Sequence, residues 1–399
     1  MRWTATTLLY HRDAGLTRFD APVLAHASAA GRPSVVLAET AFYPEAGGQQ
    51  ADRGTLAGLA VVDVQVDDDG VVHHVLDAPA DARPAVGAVV AGAIDVPRRR
   101  LFRALHTAQH ALSQALIEVA AAETVSSRLG ESVLTIDVDV PALDRGRAEA
   151  AVERVNGLVE EDRPVRAWFP SAEALAALPL RRRPKVSENV RVVEIDGFDV
   201  SPCGGTHVDH TAQLGLVVLE GLERYKGMVR VSFSAGRQAR ARLEAESRTL
   251  RALASTFSAG PLEVPPAIDK LRRELDDARA QARGLSAALA ARDAAALDAQ
   301  TPAPALVVAR LDVGGREHLR AVGVELERRG RSSALAGVDG DGLAVVVTRG
   351  AGQAFDAGAL LKRLAAAAGG KGGGRPDRAE AKLPLGVDLV ALVAGLDGA

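Results

Sequence analysis

Residues 101–122 read LFRALHTAQHALSQALIEVAAA, and residues 201–210 read SPCGGTHVDH. In the first stretch Leu105, Leu112, Leu116 and Val119 recur at helical spacing, which predicts a long helix. Positions four apart share one helix face, so His106 and His110 can reach a single point. In the second stretch the chain's one cysteine, Cys203, stands four residues before His207 in a glycine-rich turn between predicted strands. Zinc takes nitrogen and sulfur donors in tetrahedral geometry, so these four side chains form two candidate half-sites of one metal centre. His210 is the nearest rival donor. Each half also has an ordinary reading: two helix histidines in one case, a buried inert thiol in the other. Thr107 follows His106 where an HExxH protease carries its glutamate base, which disfavours a zinc protease.

Outward from these stretches the chain changes character several times. Val35–Leu37, Val61–Val66 and Val71–Leu76 are short β-branched runs separated by turns such as Asp67-Asp68-Asp69-Gly70, the pattern of a small barrel or curled sheet. Pro97 and Arg98-Arg99-Arg100 are read as the end of that region. The middle is α+β, with strands expected at Ser132–Val138, Val190–Ile195, Leu216–Glu220 and Met228–Ser234 and a helix at Arg147–Glu160. After Arg237–Ser255, read as helical, Ile268, Leu271, Leu275, Ala278, Ala282, Leu285 and Leu289 alternate at spacings of three and four. That seam fits either a dimer zipper or a helix packed on its own chain. Beyond Thr301–Pro304 come strand (306–309), helix (316–329), strand (343–348) and helix (357–368), then a glycine loop at 369–375 and a last helix. The expected division is a β-barrel-like subdomain at 1–95, a zinc-containing α+β segment at 96–240, a helical linker at 241–300 and a small α/β domain at 301–399.

Composition sets limits around this. The chain has 399 residues and a formal net charge of -3, so it is no bulk polycation, and nucleic acid must be met by local patches. One cysteine excludes an intrachain disulfide framework and a cysteine-rich finger. No apolar run of about 18 residues occurs, so no membrane partner is expected. The N-terminus lacks a signal-peptide core, which leaves the cytoplasm as the default location.

HTAQHALSQAL and SPCGGTHVDHT resemble the two zinc half-sites of the alanyl-tRNA editing family, relatives of the editing domain of alanyl-tRNA synthetase and of the second N-terminal domain of threonyl-tRNA synthetase. A third stretch, TAFYPEAGGQQADRG at 40–54, resembles the family's T-x-F-Y-P-x-x-G-G-Q-x-x-D-x-G, and the similarity runs through Val229–Gly236. GGKGGGRPDRAEA at 369–381 resembles the signature of the DHH-associated domain. The resemblance implies a free-standing editing protein of the long type, without an aminoacylation domain. It implies zinc held by His106, His110, Cys203 and His207, and hydrolysis of the ester joining serine, or also glycine, to alanine tRNA.

Discriminating serine from alanine requires a group that hydrogen-bonds the hydroxyl. Thr40 is the candidate for that contact, with an ordinary strand residue as its alternative reading. Gln49 either binds substrate or braces its loop, and Gly47 and Gly48 would admit the terminal adenosine. For tRNA contacts the candidates are Arg230, Lys371, Gly372, Gly373, Gly374 and Arg375, in basic stretches at 222–251 and 361–382, with Arg98 and Arg99 from the arginine triple just before the metal helix. Arg181-Arg182-Arg183-Pro184-Lys185 invites the same reading or a plain surface role. A homodimer through the C-terminal region stays open. The competing function is a non-catalytic tRNA-binding module with a structural zinc. A DHH phosphoesterase is disfavoured because the chain has no Asp-His-His triplet.

Overall fold

The computed structural model of the chain describes residues 5–29, 31–131, 134–184, 186 and 188–397. It divides into two compact units, Met1–Ala252 and Leu253–Ala399.

In the first unit six strands close into a barrel, in the order Arg18–Ala29, Arg32–Leu37, Val72–Leu76, Leu59–Val66, Gly54–Leu56, Val89–Ile94. The runs at 35–37, 61–66 and 71–76 fall on these strands. Their β-branched side chains fill the interior with Val35, Leu37, Val64 and Val72. The twelve-residue strand Arg18–Ala29 pairs with Val89–Ala93 through its first half and with Arg32–Leu37 through its second.

Helix α1 (Val96–Ala120) begins earlier than its apolar periodicity suggests. The Asp95 carboxylate accepts the Arg98 N–H at 3.0 Å, and Pro97 sits in the first turn, where a missing N–H costs nothing. Arg98-Arg99-Arg100 is therefore the opening of α1, not the close of the barrel. Phe102, Leu105, Leu112 and Leu116 share a core with α2 (Arg145–Glu161) and a four-stranded antiparallel sheet. That sheet runs Val217–Tyr225, Met228–Ala235, Leu134–Val138, Thr124–Leu129, so Thr124–Leu129 is an outer strand. Its first hairpin turns on Lys226 and Gly227, at φ 51° and 80°, the left-handed pair a two-residue turn needs. Ser132 and Val133 of the expected strand lie outside the described residues. A second, three-stranded sheet of Val165–Trp168, Val192–Ile195 and Asp199–Pro202 delivers the chain to Cys203. The short α3 (Ala172–Ala177) lies between its first two strands in sequence, and α4 (Gly236–Thr256) closes the unit.

In the second unit α5 (Val264–Gln300) is one uninterrupted helix. Its buried positions are Val264, Ala290 and Ala294, whereas Leu271, Leu275 and Leu285 of the seam are 53%, 47% and 74% exposed. Within the second unit, Leu271, Leu275 and Leu285 are thus left uncovered among the described residues. A five-stranded sheet follows, in the order Val307–Arg310, Ser333–Asp339, Gly342–Thr348, Arg378–Leu383, Lys371–Gly374. Gly342–Thr348 is buried along its whole length. Val345 and Val347 share a cluster with α7 (Ala357–Ala368) and α8 (Leu389–Asp397), and Ala344 and Val346 one with α5 and α6 (Gly315–Arg328). Burial on both faces explains its unbroken apolar run.

Two expectations are corrected here. The strand Ser333–Asp339, SALAGVD, was not expected, because one β-branched residue in seven gives no strand signal. The glycine stretch at 371–374 is an edge strand paired with Arg378–Leu383 and not a loop. A Cβ on Gly372 would lie 2.6 Å from Ala381 Cα and one on Gly374 2.3 Å from Ala379 Cα, so the glycines permit the strands to approach.

Candidate metal centre and cleft

The two half-sites meet. One donor atom each from His106, His110, Cys203 and His207 lie within 4.8 Å of one another. Cys203 Sγ is 3.4 Å from His106 Nε2 and 3.3 Å from His207 Nε2. Donors on a tetrahedral zinc with ordinary bond lengths stand about 3.5 Å apart. His210 does not join them. It is exposed and lies 3.6 Å from the Asp162 carboxylate.

What holds the imidazoles is their other nitrogen. His106 Nδ1 is 2.8 Å from Gln49 Oε1, His110 Nδ1 3.1 Å from Asp199 Oδ2, and His207 Nδ1 3.0 Å from Thr107 Oγ1. Each Nδ1–H can donate to its oxygen, which leaves every Nε2 lone pair facing the centre. The partners are themselves fixed. Gln49 Nε2 donates to Thr206 Oγ1 at 2.9 Å, and Asp199 accepts from Arg181 Nε at 2.6 Å and from the Ser201 hydroxyl at 3.0 Å. The Thr107 hydroxyl donates to the Arg103 carbonyl one turn earlier at 3.0 Å, so Thr107, which marks the chain as unlike a zinc protease, orients a donor. Arg103 in turn donates to the His207 carbonyl at 2.6 Å. The loop presses onto the His106 ring, with a Cβ on Gly205 only 2.1 Å from its Cε1.

The electrostatics suit a cation. Burial opposes a thiolate at Cys203, but the three surrounding imidazoles outweigh it and hold its pKa well below the ordinary thiol value. Burial, helped by His106, lowers His207 to about 3, so it is a neutral ligand at pH 7. Asp199 stays ionised: burial raises its pKa, but His110 and Arg181 together bring it below the ordinary value. A thiolate with buried, pinned imidazoles is the donor set of a tetrahedral zinc site.

Beside these donors opens a cleft of about 660 Å³. Its wall includes Tyr10, His11, Tyr43, Gly47, Gln109 and Arg191, along with His106 and Cys203. Burial raises the pKa of both tyrosines, which keeps their phenols neutral, and lowers His11 to about 4. Arg191 is 6% exposed. Its guanidinium donates to the carbonyls of Cys203 at 3.1 Å and Gly205 at 2.8 Å, and its Nε has no partner among the described residues. Gln109 lies between the two helix histidines and donates to Ser113 Oγ at 2.8 Å. Tyr10, His11, Asp199 and Arg191 escaped the sequence reading. Only Arg191 stands next to an expected element, one residue before the strand Val192–Ile195.

Several expected roles change. Thr40 does not line the cleft. It is fully buried, and its hydroxyl is 2.8 Å from His74 Nε2 and accepts the Phe42 N–H at 3.1 Å. Gln49 is also fully buried, and of its two readings the brace is the one its bonds describe. Gly48, at φ +85°, brings its loop against the outer strand, where a Cβ would sit 2.6 Å from the Ser127 carbonyl, whereas Gly47 faces open space. Arg99 cannot reach a phosphate. It is 1% exposed, pairs with Asp52, and donates to the carbonyls of Ala14 and Ala41. Arg98 pairs with Glu131 and donates to Ala51 O at 2.9 Å, so Arg100 is the exposed member of the triple. Arg230 chelates Asp137 at 2.7 and 3.0 Å. Arg181 braces Asp199, Arg182 and Arg183 line the cleft, and Lys185 lies outside the described residues. Lys371, Gly372, Gly373, Gly374 and Arg375 are all exposed. No helix among the described residues is long and apolar enough to cross a membrane.

Comparison with known proteins adds three matches along the chain. Residues 190–232 match the threonyl and alanyl tRNA synthetase second additional domain, residues 15–98 match class II (A) tRNA synthetases, and residues 304–397 match the DHHA1 domain. The chain is 35% identical to an alanine–tRNA ligase of Halorubrum lacusprofundi over 99% of its own length and 43% of the ligase. It is 33% identical to one of Halobacterium salinarum (91% of this chain, 41% of the ligase). It is 30% identical to one of Archaeoglobus fulgidus (95% and 42%). The chain therefore spans about two fifths of the length of the curated relatives it matches. Among solved structures, the C-Ala domain of Aquifex aeolicus alanyl-tRNA synthetase aligns at 21% identity with a TM-score of 0.22, covering 23% of this chain and 87% of that domain.

Proposed function

We propose that the chain, similar over most of its length to part of alanine–tRNA ligases, is an alanyl-tRNA synthetase-related protein that hydrolyses the aminoacyl ester of alanine tRNA mischarged with serine, and also with glycine, acting in trans. The observation that carries this reading is the convergence of His106, His110, Cys203 and His207 on one point, with His106 and Cys203 lining a cleft and each imidazole pinned through its far nitrogen. These four residues would hold zinc. Zinc, when bound, supplies Lewis acidity beside the ester carbonyl.

The chain's own groups do the rest. Gln49, Asp199 and Thr107 orient the histidines. Arg191 holds the cysteine loop closed and places positive charge at the cleft wall, where an ester oxygen gains negative charge during hydrolysis. Since Thr40 is fully buried and does not line the cleft, the serine hydroxyl is assigned to the Gln109 carboxamide, which lines the cleft next to the donors. Exposed Lys371 and Arg375 beside Gly372–Gly374, together with Arg100, would meet tRNA phosphate through the salt-dependent term. The segments 1–95, 96–240, 241–300 and 301–399 then divide the work between ester hydrolysis and tRNA holding.

The four-donor set favours one alternative, a structural zinc in a tRNA-binding module, because four protein ligands close a tetrahedron. The test is metal content and deacylation of seryl-tRNA(Ala), measured together for Cys203→Ala and His110→Ala. Loss of both supports the assignment. Full zinc and full deacylation in either variant would remove it, and zinc-loaded wild type without hydrolysis would establish the structural alternative.

A further inference from the structure

A second cavity, of about 510 Å³, adjoins the cleft. The two share Ser126 and Ser127 of the outer strand Thr124–Leu129, and Thr124 and Val125 face only the cleft while Arg128 lines only the second cavity. One strand therefore runs from the metal donors' side of the molecule into the neighbouring space. The far wall is Tyr225 and Arg230. The Arg230 guanidinium lies over the Tyr225 ring at 3.6 Å, and Asp137 holds it there through two hydrogen bonds. Tyr225 ends its strand at the tight Lys226-Gly227 turn, with Lys226 Nζ 5.1 Å from its ring centre. The acids in this cavity are already matched, Asp137 by Arg230 and Glu131 by Arg98.

A half-exposed ring stacked on a fixed guanidinium, with serine hydroxyls and an exposed arginine opposite, is the chemistry that receives unpaired nucleotides. Bases stack on aromatic and guanidinium planes whatever their identity, and an arginine meets the phosphate between them. The ester to be cleaved sits on the terminal ribose, so the nucleotides before it must leave the cleft along one of its walls. Building on the editing function proposed above, we propose that this cavity is the subsite for the unpaired nucleotides preceding the terminal adenosine. Tyr225 stacks the adjoining base and Arg128 meets its phosphate.

The test is a cycle of binding measurements on the full chain with uncharged alanine tRNA at fixed low salt. One arm is Tyr225→Ala, with Tyr225→Phe as the conservative control. The other is a tRNA whose nucleotide before the terminal adenosine lacks its base. Each single change is expected to weaken binding about tenfold, the double change no further than either, and the Phe variant should bind like wild type. Wild-type affinity in Tyr225→Ala, or losses that multiply, would overturn the subsite. Deacylation is read separately on the same preparations. Failure of the editing reading then shows as wild-type protein that keeps this binding cycle without cleaving the ester.

Discussion

Replacing Gln49 tests how the site is built without touching a metal donor. Its carboxamide oxygen faces His106 Nδ1 at 2.8 Å and the Thr206 N–H at 3.3 Å, and its nitrogen donates to the Thr206 hydroxyl at 2.9 Å. Methionine fills nearly the same volume with neither donor nor acceptor. Gln49→Met therefore frees the His106 ring from its tautomer and leaves the Thr206 N–H and the imidazole N–H unmatched in a site with no exposure. Losing such a partner costs about 10- to 100-fold in metal affinity. Two unmatched buried donors add a stability loss of about 2–4 kcal/mol in the metal-free protein. Gln49→Glu keeps the acceptor for both donors, and the Thr206 hydroxyl can turn to donate, so its zinc affinity should stay within a few fold of wild type. Zinc competition against a chromophoric chelator, with urea melts of the metal-free forms, separates these outcomes. Equal affinity in Gln49→Met and wild type would refute the claim that Gln49 orients His106. Equal loss in both variants would show that only the shape of the side chain matters.

Three further outcomes follow from other parts of the fold. Asp52→Asn leaves the Arg99 guanidinium buried without its counter-ion and should cost about 3–5 kcal/mol in urea denaturation; a loss under 1 kcal/mol would return Arg99 to the pool of available cations. His74 is fully buried, and its pKa falls to about 4 because burial disfavours the imidazolium. The unfolded chain then binds the extra proton between about pH 6.5 and 4, so this contribution is complete above the unfolded value and is lost as pH falls through that window. It amounts to about 3 kcal/mol, and His74→Gln should shrink the difference in stability between pH 7 and pH 4 by about that much; an unchanged difference would contradict it. In the second unit, Gly372→Ala should lower the melting temperature because its Cβ meets the backbone of Ala381, while Gly373→Ala, whose Cβ meets nothing within 4 Å, should not.

The donor set was legible in the sequence because its geometry is local: His106 and His110 are one helical turn apart, and Cys203 and His207 share one short loop. The residues that orient them were not. Asp199 is ordinary until the fold brings it to His110, and no spacing links Gln49 to His106 across 57 positions. Thr40 and Arg99 show the opposite error. Each has a side chain suited to substrate, but burial, which the sequence does not state, commits Thr40 to His74 and Arg99 to Asp52. The barrel runs and α1 were visible through β-branched clusters and helical period. The strand Ser333–Asp339 and the edge strand Lys371–Gly374 were hidden because alanine and glycine carry no strand signal, and pairing with neighbours made them strands.

If the proposed function is right, this cleft removes serine from alanine tRNA by means of a metal that its four donors would hold. The most direct measurement is the rate of deacylation of seryl-tRNA(Ala) and alanyl-tRNA(Ala) by one preparation, before and after metal is stripped and restored. The expected result is rapid loss of serine, slow loss of alanine, no serine hydrolysis by the stripped protein and recovery with zinc. Alanyl-tRNA cleaved as fast as seryl-tRNA, or stripped protein as active as loaded protein, would contradict it.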